Sequence, residues 1–252
     1  MLSSDRQRRL LQHLRQRGSG NVTELADALG VSASTVRRDL HEMNQRGLLT
    51  RVHGGASVLE SDLEPVLSSR ETEHAEQKRR IGEAAAAKVS PGSTILITGG
   101  TTTEAMLPYL GGIENLTVLT NGLNIVYQLA RYPDIAVVVL GGVLRHEEMS
   151  LLGPIAEQVL LEFHVDAVFS GAFGIDANAG LSGINVAEAG TDRRMLQSAQ
   201  TLVVLVDSSK FNRRGPVRLA ASEQISCLIT DVDAPADALT ALRGKGVDVI
   251  TC

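Results

Sequence analysis

Tryptophan is absent from this 252-residue chain, and aromatic residues of all kinds make up only 3% of it. A core must therefore be built from aliphatic side chains, which the 43% hydrophobic content is enough to supply. Cysteine is almost as scarce. Cys227 and Cys252 have no spacing that suits a metal site, and two cysteines make no disulfide framework. No apolar run approaches the roughly 20 residues that a membrane-spanning helix needs. The opening MLSSDRQRR has none of the apolar stretch of a secretory signal. These absences argue against membrane-embedded and disulfide-stapled classes, and the expectation is a soluble, cytoplasmic protein.

Positive charge is also in short supply, but unevenly so. The formal net charge is −5. Residues 1–59 carry nine Lys/Arg against five Asp/Glu, a surplus of +4, and the remainder carries −9. That asymmetry suggests a basic binding module joined to an acidic body.

The basic part reads as three helices and a hairpin. Ser3, Ser4 and Asp5 offer caps for a helix to about Arg17, with Leu10, Leu11 and Leu14 inward. After Gly18 and Gly20, a helix capped by Asn21 or Thr23 buries Leu25, Ala26 and Leu29 and stops at Gly30. Ser32 caps a third helix, to about Gln45, with Val36, Leu40 and Met43 inward. Leu48–Arg51 and Ala56–Leu59 flank His53-Gly54-Gly55 as a small hairpin, or wing.

Two short helices meeting at a Gly turn, the second rich in hydroxyls and carrying paired arginines, is the layout of a helix-turn-helix that reads the DNA major groove. Ser32, Ala33, Ser34, Thr35, Arg37 and Arg38 are the candidate reading positions, with His41 one turn later and Arg51 and His53 on the wing. Arginine bonds both major-groove acceptors of guanine at once, and hydroxyls reach bases or phosphates. Asp39 is expected to pair locally with an arginine or to cap packing rather than touch DNA, since phosphate would repel it.

The polar stretch 60–70, ESDLEPVLSSR, reads as a linker between a domain at 1–59 and a second at 71–252. A long helix is expected over about 71–89. From Ser93 onward, aliphatic strand-like runs at 94–98, 117–120, 135–140, 165–170, 201–206, 226–230 and 247–251 alternate with helical patterns at 102–110, 123–131, 154–163, 187–199 and 234–244. This is the signature of a mostly parallel sheet covered on both faces, an α/β class.

Ligands of such sheets sit at the carboxyl ends of the strands, and polar clusters recur there. Gly100, Thr101, Thr102 and Thr103 follow the first strand, where glycine lets the backbone approach a ligand and hydroxyls suit a phosphate. The motif is neither GxGxxG nor a P-loop, so no nucleotide is indicated. Asn121, Gly142 with Arg145, Asp176, Glu188 and Lys210 occupy equivalent places. Arg145 or Lys210 would neutralise a phosphate, while Asn121, Asp176 and Glu188 would bond sugar hydroxyls. No catalytic set, metal site or cofactor is indicated.

The first segment resembles the winged helix-turn-helix of DeoR-type bacterial transcription regulators. The residues that carry the likeness are Glu24-Leu25-Ala26, Leu29-Gly30-Val31-Ser32, Thr35-Val36-Arg37-Arg38-Asp39-Leu40, Gly47-Leu48-Leu49, Arg51 and His53-Gly54-Gly55-Ala56. The rest is similar to the sensor domain of the same family through residues 99–103, 119–121, 140–145, 151–154, 171–176, Glu188 and 206–211. Thr98, Gly99 and Gly122 depart from its pattern, standing where Asp, Ser and Ser are common.

The resemblance implies a sensor fold like ribose-5-phosphate isomerase and a phosphorylated sugar or related metabolite as effector. The expectation is a repressor of carbohydrate-metabolism genes that binds double-stranded operator DNA as a homodimer or homotetramer. The alternative is a sugar-phosphate isomerase with a fused DNA-binding head, with Glu188, Asp176 or Asp207 as base and Lys210 as electrophile. It is disfavoured because the KGGG-type loop of those isomerases is missing.

Overall fold

The computed structural model describes residues 6–7, 9–10, 13–14, 19–45, 49–52, 54–57, 67–186 and 188–252. The chain divides into two compact units between Val66 and Leu67.

In the first unit, strand β1 (Ser19–Asn21) leads into helix α1 (Val22–Leu29). Asn21 caps it: its side chain accepts from the Glu24 N–H at 2.9 Å while the Glu24 carboxylate accepts from the Asn21 N–H at 3.3 Å. Gly30 ends the helix in the left-handed conformation, φ 63°, which glycine adopts without a Cβ clash. Helix α2 (Ala33–Gln45) follows, then strands β2 (Thr50–Val52) and β3 (Gly55–Ser57). The sheet order is β1–β3–β2, antiparallel throughout. The expected hairpin thus gains a third strand from residues read as a helix break, because Gly20 and Gly55 let two backbones meet. A Cβ on Gly55 would stand 2.2 Å from the Gly20 carbonyl oxygen. Leu10, Leu14, Leu25, Val36, Leu40, Met43 and Leu49 form the core. His53 lies outside the described residues, as do most of the expected first helix and residues 60–66 of the expected linker.

The second unit begins with helix α3 (Leu67–Arg70), which corrects the reading of 67–70 as linker. Leu67 and Arg70 are buried, so polar composition misled there. Helix α4 (Ala75–Ala86) is shorter than the expected 71–89 and starts after His74, whose φ of 53° is not helical. Strand β4 (Thr94–Ile97) is followed by α5 (Thr101–Glu104) and a 3-10 turn at Leu107–Tyr109. The single helix expected over 102–110 is interrupted because Pro108 has no N–H to continue it.

Strands β5 (Thr117–Thr120) and β6 (Ala136–Val139) flank helix α6 (Leu123–Leu129). A hairpin of β7 (Val143–Arg145) and β8 (Ser150–Leu152) precedes helix α7 (Pro154–Leu160) and strand β9 (Ala167–Ser170). Next come β10 (Gly174–Asp176), β11 (Gly180–Gly183), helix α8 (Ala189–Leu196) and β12 (Thr201–Leu205). The chain closes with β13 (Val217–Ala220), β14 (Cys227–Thr230), helix α9 (Ala236–Gly244) and β15 (Asp248–Thr251).

Seven strands form one parallel sheet in the order β15-β14-β12-β9-β4-β5-β6. Alternate residues feed two cores. Leu96, Leu119, Val168, Val204 and Leu228 pack with Leu160, Met195 and Leu242 on one face. Ile95, Ile97, Val118, Phe169 and Leu205 pack with Ile81 and Ile125 on the other. Each such side chain contributes about 1.5–3 kcal/mol on burial. From β4 the chain adds β5 and β6 on one side, then turns to β9 and the remaining strands on the other. The point of reversal, between β4 and β9, leaves a crevice at their carboxyl ends.

Helix α4 seats against α5 through Gly82, where an added Cβ would stand 2.3 Å from the Ala105 carbonyl oxygen. Gly82→Ala is therefore expected to destabilise the second unit by about 1–3 kcal/mol despite its better helix propensity. Urea unfolding measures this, and an unchanged midpoint would refute the close seating.

Candidate functional site

Helix α2 has two faces with different tasks. Val36, Leu40 and Met43 are buried, at most 1% exposed. Ser32, Ser34, Arg37, Arg38 and His41 are exposed, and Thr35 is half-buried. Ser32 caps the helix, its Oγ accepting from the Thr35 N–H at 3.2 Å and lying 2.9 Å from the Ser34 hydroxyl and 2.8 Å from that of Thr35. Arg51 is exposed on β2, its N–H donating to Asn44 Oδ1 at 3.1 Å.

Asp39 does pair with an arginine, but not a neighbouring one. Arg6 grips both its carboxylate oxygens, Nε at 2.5 Å and Nη2 at 3.1 Å. The pair ties the first helical segment to α2 and buries the Asp39 carboxylate. Among the described residues, no ion pair engages Arg37 or Arg38.

In the second unit, the crevice is built around Asn121, which is 3% exposed. Its Oδ1 accepts from the Gly99 N–H at 2.9 Å, its Nδ2 donates to the Leu151 carbonyl at 3.4 Å, and its own carbonyl accepts from the Leu151 N–H at 2.7 Å. The ends of β4 and β5 and the β7–β8 hairpin are thereby joined. Thr103 is fully buried and donates to the carbonyls of Thr98 at 2.8 Å and Gly100 at 3.0 Å. Thr98 donates to Ser170 at 3.2 Å, which links the carboxyl ends of the paired strands β4 and β9. Gly142 (φ 116°) lies against Leu152, whose carbonyl oxygen would be 2.4 Å from an added Cβ.

Arg145, at the end of β7, places Nη1 2.7 Å from Glu188 Oε2. Burial raises the Glu188 pKa above the usual carboxylate range, with Arg145 pulling the other way and Glu147 adding to the rise. Asp176 stands apart, on the antiparallel sheet β10–β11–β13. Burial opposes its charge, but the N–H groups of Ala179 and Asn178 and the Arg214 guanidinium at 2.9 Å together hold its pKa below normal. Lys210 ends the 3-10 turn after β12, capped by the buried Asp207.

The expected ligand residues thus fall into one connected group, from Gly100–Thr103 through Asn121 and Gly142 to Arg145 and Glu188, with Lys210 at the end of another strand of the same sheet. Among the described residues, the side-chain partners of Asp176 are Asn178, Ala179 and Arg214, none of them in that group.

Sequence reasoning missed Lys78, Arg70 and Glu148. Lys78 is 5% exposed, on the inward stripe with Ile81 and Ala85, and donates to the Arg70 carbonyl at 2.6 Å. A cation at helical spacing on an apolar stripe was the available signal. Burial lowers its pKa, opposed by the charge of Asp207 and reinforced by Lys210 and Arg70. Lys78 and Thr101 also line an open recess of about 330 Å³ with Glu71, Glu104, Gln128 and Tyr132.

A helix-turn-helix with exposed arginines on its second helix, on one chain with a parallel α/β domain bearing a polar strand-end crevice, defines a DNA-binding transcription regulator. Residues 6–62 match the DeoR-like helix-turn-helix domain and residues 73–232 the DeoR C-terminal sensor domain, so the chain belongs to the DeoR family. It is 32% identical to the HTH-type transcriptional repressor CsqR of Escherichia coli over 99% of this chain and 96% of that one. It is 29% identical to the glycerol-3-phosphate regulon repressor of Escherichia coli over the whole of both chains. Among solved structures, ribose 5-phosphate isomerase A from Neisseria gonorrhoeae aligns with 57% of this chain and 56% of its own, at 21% identity and a TM-score of 0.43. Among the described residues, no helix is long and apolar enough to cross a membrane, and no His/Cys/Asp/Glu group is suited to hold a metal ion.

Asn121→Ala removes the partners of the Gly99 N–H and the Leu151 carbonyl. Each group left unpaired is expected to cost about 1–3 kcal/mol of second-unit stability. Denaturant unfolding is the check, and a loss below that range would show that water replaces the carboxamide.

Proposed function

We propose that this protein is a cytoplasmic repressor of carbohydrate-metabolism genes, whose hold on operator DNA is set by a phosphorylated sugar or related metabolite. The DNA-binding head comprises residues 1–59, and the sensor residues 71–252, with α3 packed onto it. The observation that carries the reading is the exposed Arg37–Arg38 couple, in no ion pair among the described residues, on a helix whose other face packs into the core. Ser32, Ser34, Thr35, Arg37, Arg38 and His41 read the operator, with Arg51 and His53 on the wing. Paired half-sites call for two heads, so the chain works as a homodimer or homotetramer.

The effector occupies the strand-end crevice. Gly100, Thr101, Thr102 and Thr103 receive its phosphate with Arg145 and Lys210 as counter-charges. Asn121 and Gly142 shape the floor, and Glu188 takes hydroxyl groups; Asp176, held by Arg214 on the antiparallel sheet, is left out of the crevice. The relative named for the glycerol-3-phosphate regulon supports a small phosphorylated metabolite. The protein acts as a regulator rather than an isomerase. The acids such an enzyme would use are engaged: Glu188 by Arg145, Asp176 by Arg214, and Asp207 by the Ser209 N–H at 3.0 Å.

Arg37→Ala and Arg38→Ala are each expected to weaken operator binding by about 5- to 150-fold, the range for one bidentate base contact, with melting unchanged. Thr102→Ala and Lys210→Ala should keep operator binding but lose the effector response. Gel shifts and a reporter assay test both halves. Full operator affinity in both arginine variants would overturn the head assignment, and a normal response in both sensor variants would overturn the crevice.

A further inference from the structure

Helix α3 has four residues, far too few to be stable alone, and it is the first element of the second unit. Its order must come from its anchors. The Leu67 side chain is buried and its N–H donates to the Glu147 carbonyl at 3.0 Å. The Arg70 guanidinium pairs with the Glu148 carboxylate, both groups buried. The Arg70 carbonyl accepts from Lys78 Nζ.

The anchors come from two sides, or lips, two from the β7–β8 hairpin turn and one from α4. Glu147 and Glu148 lie in the turn of the β7–β8 hairpin, which also carries Arg145 and is fastened to Asn121 through Leu151. Glu147 adds its charge to the field at Glu188, so the Arg145–Glu188 pair and the hairpin turn feel each other. Lys78 projects from α4, lines the recess beside Thr101, and sits in the field of Asp207 and Lys210. Both lips carry a non-glycine residue in the left-handed region, His74 at φ 53° and Met149 at φ 49°. Such conformations persist only while surrounding contacts impose them.

We propose that Arg70 is the coupling residue of this regulator, clamped by Lys78 from one lip and Glu148 from the other. An anionic ligand in the crevice draws Arg145 from Glu188 and Lys78 from the Arg70 carbonyl, and so releases α3. The inference rests on the crevice being the ligand site, and it adds which residues sense occupancy. Thermodynamic reciprocity gives it a signature: if the ligand opens the clamp, opening the clamp by mutation must tighten ligand binding by the same factor.

The test uses the full-length chain with inorganic phosphate as probe, and the variants Glu148→Gln and Lys78→Met, which approach Arg70 from opposite sides. Hydrogen exchange of the 67–70 amides reads the clamp, the β4 amides report folding, and phosphate-dependent melting reads affinity. In wild type, phosphate should raise melting temperature and speed exchange at 67–70. Glu148→Gln, which leaves the recess intact, should exchange there at least about ten-fold faster without phosphate and bind phosphate at least about five-fold more tightly. Lys78→Met should show fast exchange that phosphate no longer alters.

Fast exchange with wild-type phosphate affinity in Glu148→Gln would make the clamp merely structural and sink the proposal, leaving the crevice reading intact. Wild-type exchange in both variants would do the same. Should one variant lose β4 protection, the other decides. If phosphate has no effect on wild type, the crevice reading fails and the proposal falls with it.

Discussion

A parallel strand that ends leaves its next amide without a partner, and at the end of β4 that amide belongs to Gly99. The buried carboxamide of Asn121 takes it, and with its other end holds the β7–β8 hairpin. This one side chain decides how closely three loops approach. They approach so closely that side chains are excluded: a Cβ on Gly122 would lie 2.7 Å from the Gly99 Cα. The floor of the crevice is therefore backbone, and its charged groups stand on the surrounding lips. Arg145 is placed by the hairpin that Asn121 secures, and so is Glu148.

The charged side chains divide into those spent on the fold and those left over. Arg6 and Asp39 neutralise each other inside the head, which leaves Arg37 and Arg38 without that carboxylate as a partner. In the sensor, Asp176 is spent on its own turn and on Arg214. Arg145 and Glu188 are different. Their pairing is bought against burial of the carboxylate, so a ligand group that satisfies Arg145 better has little to overcome. A buried ion pair contributes modestly to stability because desolvation offsets most of its attraction. Such a pair serves a switch better than a scaffold.

Much of this was legible in the chain. The seven parallel strands stood out because continuous aliphatic runs have few other uses in a chain poor in aromatics, and α2 stood out through Val36, Leu40 and Met43 at helical spacing. The β7–β8 hairpin and the β10–β11–β13 sheet were not legible, since strands of three or four residues carry too little periodicity to separate from loop. Arg6 was not legible as the partner of Asp39, because a contact across 33 positions has no local signature. The ends of the long helices failed for a local reason: His74 and Pro108 set boundaries through backbone geometry rather than hydrophobic pattern. Leu67–Arg70 failed for the converse reason. Its composition is that of a linker, and only tertiary anchors make it a helix.

That last failure bears on how a metabolite could govern DNA binding at all. The head has its own apolar core, so nothing about the fold of α2 needs the sensor. The sensor has its own two cores, one on each face of the sheet, and a ligand shifts an equilibrium only by its differential affinity for the two states. A connecting element stable by itself would be equally useless, because it would not respond. What is required is a short element whose order depends on groups that the ligand perturbs. A four-residue helix held by a lysine from one lip and a glutamate from the other meets that requirement. The sequence that reads as a linker and the structure that shows a helix then describe the two states between which such an element would move.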